Sequence, residues 1–174
     1  GVDIYNNGSL TQEARYPINL YEVSGGVHFE GCKITNNSFT QWLFMLDYLT
    51  LNITNTVIAG NNAQWSDRDI FQIRYNSKVV MNHSTVYSND VGQPLGFAEM
   101  DGSNATFEVF NSIIDADEIV NTSRDYTISN SLLSIGNIFR GTGSNLGANN
   151  IQAPINLTTG FALPATSPAI GLGS

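Results

Sequence analysis

Tyr21, Asp47 and Arg74 stand 26 and 27 residues apart, and the residues that follow them, Glu22, Tyr48 and Tyr75, keep the same intervals. Met100 and Asp101 extend both series by a further 26. Brought into one row, Tyr21, Asp47, Tyr48, Arg74 and Tyr75 could hold a sugar chain. Phenol rings offer apolar surface for stacking, and an Asp–Arg pair offers polar contacts to hydroxyls or to a uronate. The same residues also suit structure alone, as a surface ion pair beside packed cross-strand tyrosines.

Other chemistries ask for more. A glycosidase needs two carboxyl groups roughly 5–10 Å apart, a demand that Asp47 with Glu99 or Asp101 could meet. A calcium site takes six to eight oxygens. The densest carboxylates are Asp67 and Asp69 in SDRD and Asp115, Asp117 and Glu118 in DADE. Neither run has the spacing of a calcium loop, and both also read as solvated turns, so no cofactor is expected, with calcium the alternative if a neighbouring coil adds oxygens to either run. Cys32 is the only cysteine, and neither His28 nor His83 stands in a local signature that would make it a nucleophile. It reads instead as a buried strand residue. No Ser-His-Asp, HExxH, Walker or GxGxxG pattern occurs, and the Gly-rich run from Gly141 lacks the Lys-Ser/Thr of a phosphate loop.

Such a row requires elements that repeat. Six segments align: those at Val2, Cys32, Thr56, Thr85, Ser112 and Ser131. Alternating strands lead into five of them, starting at Val27, Leu51, Val79, Phe107 and Tyr126. Their first and third residues (Val27 and Phe29, Leu51 and Ile53, Val79 and Met81, Phe107 and Val109, Tyr126 and Ile128) are apolar, whereas His28, Asn52, Glu108 and Thr127 are not. A period of two places the first set inside. A second series of strands, from Pro17, Leu43, Ile70, Leu95 and Glu118, precedes the first and carries the candidate row. The closing residues Ile34, Ile58, Val86, Ile114 and Leu133 recur at intervals of 24, 28, 28 and 19. A solenoid absorbs such irregularity in its turns while strands stay in register. The expected fold is all-β, a right-handed parallel β-helix (β-solenoid) of about six coils over residues 1–136, with a C-terminal cap or tail over 137–174. Gly31, Asn55, His83, Asn111 and Asn130 share one turn position, where asparagines would stack into an amide ladder between coils.

Composition agrees. Charged residues are only 13% of the 174, so Asn, Ser, Thr and Gly supply the polar surface and favour turns and strands over helices. The net charge of −8, with seven scattered Lys and Arg, excludes nucleic acid and anionic membranes as partners bound through a basic patch. No apolar run is long enough to span a membrane, and none forms a signal peptide at Gly1. The opening GVDIYNNGS reads as the middle of a repeat, from which the chain is expected to derive from a longer precursor.

The tail carries Ser167-Pro168-Ala169-Ile170-Gly171-Leu172-Gly173, preceded by Gly147-Ala148-Asn149-Asn150-Ile151-Gln152-Ala153-Pro154. It resembles the SPAIDAG-type closing motif of surface proteins in the pectate-lyase-like superfamily of right-handed β-helices, with Gly171 in place of the usual Asp. The resemblance implies a β-helix on a secreted or cell-surface protein. Its members include lyases, hydrolases, adhesins and stalks, and its lyases generally use a Lys or Arg base with calcium. Activity therefore does not transfer with fold. Seven N-x-S/T sequons, at Asn7, Asn36, Asn52, Asn82, Asn104, Asn121 and Asn156, fit either an Asn-rich composition or N-glycosylation of a surface glycoprotein.

These observations lead to an extracellular adhesin or stalk, without enzymatic activity, touching a glycan or surface protein through Tyr21, Asp47, Tyr48, Arg74 and Tyr75. The alternative is the C-terminal part of a β-helix polysaccharide lyase or glycoside hydrolase. The longest insertions, Gln64–Arg68 and Asp90–Pro94, carry few groups to wall an active-site groove. A viral fibre tip would need an outer apolar stripe, for which only Met45, Val80 and Met100 are at hand.

Overall fold

The computed structural model describes residues 2–5, 17–63, 69–87, 89, 96–101, 104–116, 118–121, 126–134, 137–140, 147–158 and 161–167. The described residues form no helix, and every strand pairing among them is parallel. Each coil runs through three sheets in turn, which makes the protein a parallel β-solenoid.

The first sheet stacks six strands: β2 (Ile18–Tyr21), β6 (Phe44–Asp47), β10 (Asp69–Arg74), β13 (Gly96–Asp101), β16 (Glu118–Asn121) and β19 (Asn137–Arg140). The second has five: β3 (Val27–Glu30), β7 (Thr50–Thr54), β11 (Lys78–Asn82), β14 (Thr106–Phe110) and β17 (Tyr126–Ser129). The third has seven: β1 (Asp3–Tyr5), β4 (Lys33–Thr35), β8 (Val57–Ala59), β12 (Thr85–Tyr87), β15 (Ile113–Ile114), β18 (Leu132–Leu133) and β20 (Ile151–Gln152). A short pair, β5 (Ser38–Phe39) and β9 (Asn62–Ala63), fills a corner. Most of the fully buried residues fall within three central coils, β6–β8, β10–β12 and β13–β15, a smaller sealed core than about six coils implies. Ile18, Leu20, Val27 and Phe29 in the coil before them are only partly buried.

The second sheet follows the period of two directly. Leu51, Ile53, Val79, Met81, Phe107, Val109 and Ile128 are fully buried, and their neighbours along each strand are not. A column of phenylalanines joins the sheets. Phe44 and Phe71 stack with centroids 4.8 Å apart, and Phe97 meets Phe71 and Phe107 edge-on. Beyond β20 the tail turns back along the solenoid, since Phe161 lies edge-on to Tyr87 of β12. Pro168–Gly173 of the closing motif lie outside the described residues, as do Gln64–Arg68 and Asp90–Pro94.

Polar ladders run through the turns, displaced from where the sequence points. Gly31, Asn55, His83, Asn111 and Asn130 all have positive φ, between 48° and 61°, so that column is occupied by residues able to adopt the left-handed region. The next residues, Cys32, Thr56, Ser84, Ser112 and Ser131, form the ladder. The backbone N–H of Thr56 donates to Ser84 Oγ at 3.1 Å, Ser84 to Ser112 Oγ at 3.2 Å, and Ser112 to Ser131 Oγ at 3.2 Å. Each serine hydroxyl donates in turn to the carbonyl two residues back. Cys32 is 5% exposed at the head of this series, its thiol donating to Glu30 O, which makes it structural. The buried amide ladder is Asn37–Asn61–Asn89, beside β5 and β9.

Candidate functional site

Strand pairing places the candidate row on the first sheet. Tyr21 aligns with Asp47, Asp47 with Arg74, and Arg74 with Asp101. The fourth member is therefore Asp101, not Met100. Met100 pairs with Ile73, faces the core and is 6% exposed, so alternation puts the charged residues of β13 outward and the apolar ones inward. Met45 is likewise buried, which leaves no apolar stripe of Met45, Val80 and Met100.

Asp47 is 3% exposed, although it lies on the outer side of β6. Arg74 holds it in a fork, with Nε 2.8 Å from Oδ1 and Nη2 2.6 Å from Oδ2. The guanidinium carbon also sits 5.4 Å from the Tyr75 ring centre. Arg74→Met would remove the donor to both buried oxygens. We expect a loss of about 1–3 kcal/mol in urea unfolding, partly recovered when Asp47→Asn removes the stranded charge in the same chain.

Glu22, Tyr48 and Tyr75 follow the row and close the strands with positive φ of 48°, 57° and 33°. Tyr21 ends β2 on the outer side and the turn carries Tyr48 and Tyr75 outward; Tyr21, Tyr48 and Tyr75 are 59%, 46% and 43% exposed. Tyr48 and Tyr75 stack at 5.3 Å with planes 11° apart, near the ~4.8 Å strand spacing. Tyr21 stands edge-on to Tyr48, with ring centres 6.4 Å apart and planes at 89°. The Tyr21 phenol is held above its usual range, chiefly by its hydrogen bond to Glu22 and then by the nearby charge of that carboxylate.

The remaining candidates are scattered. Glu99 accepts a hydrogen bond from Trp42 Nε1 at 3.0 Å. Asp47 and Asp101 are two strands apart with Arg74 between them, and both oxygens of Asp47 are occupied. That arrangement gives Asp47 no open approach for proton transfer. Asp69 is buried in β10 and Asp115 half-buried after β15, while Asp67 and Asp117 lie outside the described residues. Among the described residues no three His, Cys, Asp or Glu side chains are grouped to hold a metal ion, and no helix is long and apolar enough to cross a membrane. Of the sequon asparagines, Asn36, Asn104 and Asn156 are exposed, Asn52 and Asn82 are half-buried on the second sheet, Asn121 lies in β16, and Asn7 falls outside the described residues.

Comparison with known proteins returns nothing to set beside this geometry. No family model matches the chain, and neither a curated protein nor a solved structure matches it significantly.

Proposed function

We propose that this chain is an extracellular or cell-surface module, an adhesin or stalk of the pectate-lyase-like β-helix type, that binds glycan on the face of Tyr21, Asp47, Tyr48, Arg74 and Tyr75. The observation that carries the reading is where large apolar side chains meet water. Among the described residues these are Val2, Tyr21, Val23, Tyr48 and Tyr75, and four of the five cluster at one edge of the first sheet. A cluster of exposed rings beside a bidentate ion pair supports reading this edge as a binding surface. Its three exposed tyrosines each combine an apolar ring with a hydroxyl, which suits sugars, whose two faces are apolar and whose rims are polar. The partner is an extracellular glycan, alone or carried on a surface protein, and Asn36, Asn104 and Asn156 are sequon asparagines exposed to modification. The lyase or hydrolase alternative is disfavoured by Asp47, whose oxygens are both committed to Arg74.

A broad glycan array, probed with and without calcium, tests this. We expect binding to a defined glycan independent of calcium, with Tyr48→Ala and Tyr75→Ala each weakening it about tenfold or more, the equivalent of one stacking contact. Silence across the array would sink the glycan reading.

A further inference from the structure

Around the exposed tyrosines the charge is of one sign. Arg74 and Asp47 offset each other in their fork, with Nε and Nη2 both engaged. Beyond that pair, Glu22 follows Tyr21 at the β2 coil and Asp101 closes β13, both exposed. Strand pairing sets them three strand spacings apart along the solenoid, about 14 Å, with the stacked Tyr48 and Tyr75 on the two coils between. Lys78, three residues beyond Tyr75, is tied to Glu108 at 2.6 Å. The edge therefore sets three carboxylates against one guanidinium, on a chain of net charge −8.

Backbone bonds hold these groups in place. The Glu22 N–H donates to Asp47 O at 2.9 Å and the Tyr48 N–H to Tyr75 O at 3.2 Å, so the pairing between coils continues through the turn itself. The Tyr21 hydroxyl donates to the Glu22 carboxylate, which sets that charge beside the ring. Tyr75 already receives a cation, the Arg74 guanidinium, 5.4 Å from its centre. Aromatic rings attract positive charge through their quadrupole, and nearby carboxylates add to that attraction.

We propose that the glycan taken by this edge is cationic, a chain of amino sugars with free ammonium groups that stack on the tyrosines and are drawn by Glu22 and Asp101. The proposal rests on the glycan reading above and names the class of glycan. An N-acetylated sugar keeps the ring faces and loses the charge. A uronate or a sulfate brings the sign that this edge repels.

The test is titration of the intact chain with oligomers of glucosamine, of N-acetylglucosamine and of galacturonate, and with oligolysine as a polycation that is not a sugar. The titrations run at about pH 6, where the sugar amines are protonated. We expect glucosamine oligomers to bind about tenfold more tightly than their acetylated counterparts at low salt. That advantage should shrink below about twofold near 1 M salt, where screening acts within about 3 Å. Glu22→Gln and Asp101→Asn, both at exposed positions, should each cut the preference for the amine about threefold. Equal affinity for the acetylated oligomers, or tighter binding of galacturonate, overturns this inference and leaves the proposed function standing. Oligolysine bound as tightly as a glucosamine oligomer of equal charge also overturns it, since the edge would then take any polycation. No binding of any sugar overturns both.

Discussion

Asn61→Leu is expected to cost the protein about 3–6 kcal/mol, although leucine matches asparagine closely in size. Asn61 is fully buried at the centre of the amide ladder. Its Oδ1 accepts from the backbone N–H of Asn37 at 3.0 Å and from Asn37 Nδ2 at 2.9 Å. Its Nδ2 donates to Ile34 O and to Asn89 Oδ1, each at 2.9 Å. Leucine would leave the Asn37 N–H, the Ile34 carbonyl and half of the Asn89 contact stranded in the core, each at about 1–3 kcal/mol. The next residue, Asn62, is exposed in β9, and Asn62→Ala is expected to move stability by no more than about 0.5 kcal/mol. Urea unfolding of the two variants, side by side, measures the ladder. Equal midpoints would mean that the buried amides contribute nothing beyond filling space.

Phe71→Ala should be comparably damaging for the contrary reason, loss of apolar contact. The ring stacks on Phe44 at 4.8 Å, meets Phe97 at 5.5 Å and reaches Phe107 at 6.3 Å, so it ties the first sheet to the second across the middle of the solenoid. Alanine would leave a cavity that rigid, hydrogen-bonded strands on every side cannot collapse. Large-to-small changes of this kind cost about 3–5 kcal/mol. For a chain of this length that is a fall of about 6–20 °C in melting temperature. In a solenoid each coil is stabilised by its neighbours, and the variant weakens both contacts of the β10 coil at once. Calorimetry of wild type and variant decides it, and a fall under about 3 °C would show that the aromatic column is not the centre of the core.

The two ladders show how residue type can be legible while its role is not. Asn55, Asn111 and Asn130 stand at one turn position, and an amide ladder is a sound physical use for asparagine there. The same residue type also tolerates positive φ, which every member of the column shows, and the amides themselves meet at its far end, where Asn149 Nδ2 donates to Asn130 Oδ1 at 3.1 Å. Gly31 and His83 in the same column carried the discriminating signal. An amide ladder needs an amide in every coil, whereas the left-handed region accepts glycine, asparagine and histidine. The small hydroxyls one position later, and Asn37, Asn61 and Asn89 further on, are the groups with repeated partners between coils.

By itself the sequence determined that the chain is all-β, that its strands stack in parallel as a solenoid, and which residues of the second sheet turn inward. Period-two alternation decides inside from outside strand by strand, and it needs no knowledge of distant residues. Only the tertiary structure decided how the coils of the first sheet align. The turns between coils vary in length, so spacing in the chain does not set register. One position of slip exchanged Met100 for Asp101 beside Arg74. Nor could spacing show that Asp47 is buried in a bidentate pair, or that Trp42 reaches Glu99 57 residues away. Those contacts run along the solenoid axis, between side chains that only the stacking of strands brings together.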